Sequence, residues 1–97
     1  MQTIIIKLDS RKMINPDLDI RYTLPDRLEK ITSGRISDNG YDYISKYELG
    51  IWLETDNAEH MFPIVADLIK NDNNLKSAEI YISDSETAEI HECRKVY

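Results

Sequence analysis

Cysteine is nearly absent. Cys93 stands alone, so no disulfide can close within the chain. Glycine and proline are scarce, three of each, which leaves no composition for a long flexible linker or low-complexity tail. The glycines, Gly34, Gly40 and Gly50, are scattered and compose no phosphate-cradling loop. No apolar run approaches the roughly 20 residues of a membrane-spanning helix. The opening Met1-Gln2-Thr3-Ile4-Ile5-Ile6-Lys7 lacks the basic stretch and long apolar core of a secretion signal. These absences point to a reducing cytoplasm and away from a membrane.

What is present suffices for one folded domain, residues 1–97. Hydrophobic residues make up 41%, above what a disordered chain carries. A chain of this size buries about two-thirds of its unfolded surface, enough for one modest core and little room for a deep cleft. The formal charge is −6 and unevenly spread. Residues 1–36 hold seven basic and five acidic side chains, whereas residues 37–93 hold three basic and thirteen acidic ones. Such a surface suits a basic partner. It disfavours direct contact with nucleic acid, which needs clustered lysine and arginine.

Hydrophobic periodicity sets the elements. Ile4, Ile6 and Leu8 alternate with Thr3, Ile5 and Lys7, a period of two that predicts a strand over 3–9. Ile5 makes it apolar on both sides, hence interior. Asn15-Pro16-Asp17 has the form of a helix start. Pro25 then divides the region into pieces at 17–22 and 25–32, or one kinked helix, with Leu24, Leu28 and Ile31 on one stripe. Asp38-Asn39-Gly40 predicts a tight hairpin joining 35–37 to 41–45. Leu49, Ile51 and Leu53 alternate with Glu48, Gly50, Trp52 and Glu54 as a half-buried strand. Asp56 reads as the cap of a second helix, with Met61, Ile64, Val65, Leu68 and Ile69 facing a core. Ala78, Ile80 and Ile82, then Ala88 and Ile90, read as a C-terminal hairpin.

Two amphipathic helices must bury their stripes against one face of a sheet. The expected fold is therefore α+β, a two-layer sandwich. Its sheet has four to five mostly antiparallel strands, in a ferredoxin-like or related arrangement. If Leu49, Ile51, Ile80 and Ile82 face the helices, Trp52 and Tyr81 face away, together with Glu48, Glu54, Glu79 and Glu89. An aromatic residue ringed by carboxylates is the candidate partner-binding surface, since aromatics anchor interfaces and charges steer association.

Catalytic and metal constellations are incomplete. His91 and Cys93 would share a strand face, but nothing marks an oxyanion hole or a third orienting group. Zinc needs about four ligands, and only His60 could join that pair. Asp38 to Asp42 lacks the ligand series and final glutamate of a calcium loop. The reading is a binding protein with no catalytic residue, no metal and no cofactor, a monomer or weak homodimer. The alternative is a small ligand-binding or regulatory module on a ferredoxin-like sheet.

The stretch Ile4-Ile5-Ile6-Lys7-Leu8-Asp9, followed by Asn15-Pro16-Asp17-Leu18-Asp19-Ile20-Arg21-Tyr22, resembles the openings of small bacterial proteins. In size, acidity and layout the chain resembles bacterial immunity proteins, including those of contact-dependent growth inhibition systems. The resemblance implies a cytoplasmic antidote that binds a cognate protein toxin. Such toxins are often basic nucleases, and the antidote covers the active or substrate-binding surface.

Overall fold

The structure, a computed structural model, describes residues 1–97. Five strands form one antiparallel sheet: β1 (Gln2–Asp9), β2 (Ile36–Tyr43), β3 (Glu48–Thr55), β4 (Glu79–Ser83) and β5 (Arg94–Lys95), in the order β2-β3-β1-β4-β5. Two helices, α1 (Ile20–Ile31) and α2 (Ala58–Lys70), cross between strands. Helix α1 lies over β2 and β3, and α2 over β4 and β1. The first four strands interlock as two split β-α-β units, the ferredoxin-like arrangement, and β5 adds an outer edge. No helix is long and apolar enough to cross a membrane.

Register follows from the alternation. β1 is central, with Ile5 opposite Trp52 on one side and Tyr81 on the other. Ile4, Ile6, Ile51, Leu53 and Ile80 point at the helices, where Leu24, Leu28, Met61, Val65 and Ile69 meet them in a single core. Every one of these side chains is almost wholly out of water, and burial on this scale stabilises each by about 1.5–3 kcal/mol. Both helix stripes are narrower than the periodicity predicts. Ile31 and Ile64 are exposed, and the buried stripes are Leu24, Pro25 and Leu28 on α1 and Ala58, Met61, Val65 and Ile69 on α2.

Several local expectations are corrected. The Asn-Pro-Asp motif does not start α1. Asn15 instead exchanges hydrogen bonds with Asn74, donating from its backbone (2.7 Å) and accepting at its carbonyl (2.8 Å). Asp17 turns the chain by accepting from the Asp19 N–H. Of the two readings left open at Pro25, the single helix is the one observed, with α1 beginning at Ile20 and containing Pro25. The cap of α2 is Asn57, whose side chain accepts from the His60 N–H (3.0 Å), not Asp56.

Asn39-Gly40 is not a hairpin turn. β2 runs through it with one extra residue between Asp38 and Tyr41, a β-bulge, while Ile44–Tyr47 makes the turn. The bulge reverses the alternation. Tyr41 and Tyr43 thereby join Ile36 on the helix side, opposite Ile51 and Leu49. Gly40 adopts φ +96°, the left-handed region that favours glycine. Residues 88–93 are not a strand either. They form a strap ending in a short 3-10 turn, and only Arg94–Lys95 pair with β4.

Candidate functional site: the sheet face beneath the strap

The sheet face away from the helices is where Trp52 and Tyr81 stand, as the alternation predicts, and Trp52 is half-buried there. Gly50 makes the seat for the indole. A Cβ at Gly50 would fall 2.4 Å from Trp52 Cζ3 and 3.1 Å from Ile44 Cδ1, so the ring lies directly over the glycine. The strap crosses the same face. Trp52 Nε1 donates to the Ala88 carbonyl at 2.9 Å. The Thr3 hydroxyl lies 2.8 Å from the Ser85 carbonyl and 3.0 Å from that of Glu86. Ile5, Thr3 and Ala88 are buried as a result.

Charge divides this face in two. At one end Lys7 lies between Glu48 (3.1 Å) and Glu79 (3.0 Å), and Glu79 also meets Lys95 (2.9 Å). The Tyr81 hydroxyl donates to Glu79 at 2.9 Å, and the Ser45 hydroxyl to Glu48 at 2.8 Å. The hydrogen bond from Lys95, then that from Lys7, holds the Glu79 carboxyl down at about 2. Glu48 lies below its ordinary value because of Ser45 first and Lys7 second. The Lys7 ammonium is raised chiefly by Glu79, and burial raises the Tyr81 hydroxyl. Of the predicted binding carboxylates, these two are thus committed to partners within the chain.

The other end surrounds the free edge of Trp52. Two adjoining hollows of about 230 and 320 Å³ open there, bordered by Asn39, Asp42, Trp52, Thr87, Glu89 and Glu92. Glu54 lies on the same strand face, two residues along β3. Asp42, Glu54, Glu89 and Glu92 enter no ion pair, although Glu92 accepts from the Glu89 N–H (2.9 Å) and so shapes the strap. Asp42 and Glu92 were not legible as members of this group. Asp42 arrives on this face only because of the bulge, and Glu92 because the strap turns.

His91 is exposed on the strap. The Cys93 thiol is directed at the Glu89 carbonyl (3.4 Å). Burial pushes that thiol up, away from the thiolate a nucleophile or metal ligand supplies. Nowhere do three His, Cys, Asp or Glu side chains converge in a metal-holding group.

A second exposed surface lies on the helix side. Leu8, Met13, Leu18, Ile20, Tyr43 and Tyr47 line a groove of about 400 Å³. Beyond it Tyr22 meets Tyr41 edge to face at 5.9 Å. The cluster Tyr41, Tyr43 and Tyr47 was its visible signal in the sequence.

Compared with models of protein families, with curated proteins and with solved structures, the chain matches none.

Proposed function

We propose that this chain is an immunity-type protein: it binds a cognate bacterial toxin, a basic nuclease, and blocks it by covering the surface that grips substrate phosphate. One observation supports the reading above others. Around the free edge of Trp52, the carboxylates of Asp42, Glu54 and Glu89 have neither a cation nor one another's strand partner to neutralise them. Elsewhere most lysines and arginines are already spent on carboxylates, so this end of the sheet is left negative. A phosphate-binding protein offers the opposite potential. Complementary potentials raise association rates and reject partners of the same sign.

Trp52 supplies the anchor. Tryptophan contributes heavily where it sits in a dehydrated centre with charges at the rim. Here its indole is held rigid by Gly50 beneath and by the Ala88 carbonyl beside it. Little conformational entropy remains to be lost on binding. Glu89 borders both hollows, and its place on the strap joins the anchor to the acidic rim.

The test is co-expression with the protein encoded beside this gene. The reading expects that protein to be a toxin, to be neutralised by this chain and to co-purify with it. A neighbour that kills regardless of this chain contradicts the reading.

A further inference from the structure

Three of the five free cations of this acidic chain gather in one place, Lys70 and Lys76 lying elsewhere. Seven of its twelve basic side chains are tied to carboxylates. Of those that are not, Lys12, Arg21 and Lys46 flank the tyrosine groove. Lys46 lines it, with its ammonium 5.4 Å from the Tyr47 ring. Lys12 is exposed on the short turn between Ser10 and Met13, two residues of the lining. Arg21 follows Ile20 of the lining and stacks 4.6 Å from Tyr22 and 5.3 Å from Tyr41.

The groove itself is apolar and open. Leu18, Tyr43 and Tyr47 are 54%, 52% and 41% exposed, and the aromatic surface continues over Tyr22 and Tyr41. An exposed patch of tyrosine, leucine and arginine has the composition of interface centres. Stacked on rings, Arg21 and Lys46 keep their charge and are held at the rim.

We propose that this groove is a docking site for an acidic segment of a partner protein, anchored by a bulky apolar side chain. The apolar floor of Leu8, Leu49 and Met13 takes the anchor. Lys12, Arg21 and Lys46 meet the flanking carboxylates. A nucleic acid strand suits the site less. A continuous run of phosphates would have to pass Asp17, which lines the groove, and Asp19 beyond it, whereas a peptide can place its carboxylates at the three cations alone. The groove lies on the helix side of the sheet, away from Trp52, so the inference stands apart from the toxin reading.

The experiment is an NMR titration of the whole ¹⁵N-labelled chain with three probes. The first is a capped peptide of glutamates around a central Phe-Leu pair. The second has lysine for every glutamate, and the third is an oligothymidylate. Only the glutamate peptide is expected to shift the amides of Met13, Ile20, Tyr43 and Tyr47. The double variant Lys12→Glu with Lys46→Glu should weaken that binding about tenfold and leave the remaining spectrum unchanged. Four results would overturn the proposal: equal binding of the lysine peptide, oligothymidylate binding at these amides, shifts confined to the Trp52 face, or no shifts at millimolar peptide.

Discussion

Gly50→Ala tests how the Trp52 face is built. In a strand interior this change ordinarily stabilises by about 0.5–1 kcal/mol, since glycine loses more backbone freedom on folding. Here the new methyl would stand 2.4 Å from Trp52 Cζ3, 3.0 Å from Cη2 and 3.1 Å from Ile44 Cδ1. The indole has to lift. Overpacking of this kind costs about 1–3 kcal/mol. A lifted ring also gives up its N–H bond to the Ala88 carbonyl, worth about 0.5–1.5 kcal/mol. Set against the entropic gain, the net is about 2 kcal/mol of destabilisation. At about 4–8 °C per kcal/mol for a domain of this size, Tm should fall by about 10 °C. Thermal unfolding followed by circular dichroism measures this, and tryptophan emission should shift red as the ring leaves its seat. In a Trp52→Phe background the smaller ring clears the methyl, so the penalty should largely vanish. A Gly50→Ala protein that is as stable as the parent, with unchanged emission, would refute the reasoning.

Other consequences are as specific. Thr3→Val removes the hydroxyl bonded to Ser85 and Glu86 and should cost about 1 kcal/mol. Amide exchange across the strap should accelerate, and unchanged protection there would contradict its anchoring role. The Glu79 carboxyl is depressed from 4.5 to about 2, so its stabilisation is complete above pH 4.5 and is lost as pH falls toward 2. Glu79→Gln should therefore flatten the acid limb of a urea-midpoint profile between those values, at a neutral-pH cost of about 1 kcal/mol after screening. Lys95→Met and Lys7→Met should each raise the Glu79 carboxyl pKa, read by ¹³C NMR, the first by removing the largest single hydrogen bond and the second by removing a hydrogen bond and a Coulombic attraction; a carboxyl unmoved in either variant would contradict its assigned partner.

Strands β1, β3 and β4 and helix α2 were legible because their apolar residues keep one period from end to end. So was the direction of Trp52, which follows from Leu49, Ile51 and Leu53 facing the other way. The misread elements are those whose local signals serve a tertiary partner. Asn-Gly suits a hairpin turn, but at 39–40 it absorbs a bulge that brings Tyr41 over to α1, against Tyr22. Asn15 has the chemistry of a helix cap, yet Asn74, 59 positions away, takes its hydrogen bonds. Ala88 and Ile90 alternate as a strand would. Their segment leaves the ladder because Thr3 and Trp52 supply donors to its carbonyls on the sheet face. The candidate site was legible in part for the same reason. Period two identified Glu48, Glu54 and Glu79 as neighbours of Trp52. It could not say that Lys7 neutralises two of them, nor that Asp42 and Glu92 join the rim.

The most direct measurement is the stopped-flow association rate of this chain with its proposed partner, the product of the neighbouring gene, at low and at physiological salt. A wild-type rate that falls steeply with salt, and a further fall of about tenfold in Asp42→Lys with Glu89→Lys, is the predicted result. A rate indifferent to salt, with the double variant associating and neutralising as the parent does, would contradict the account.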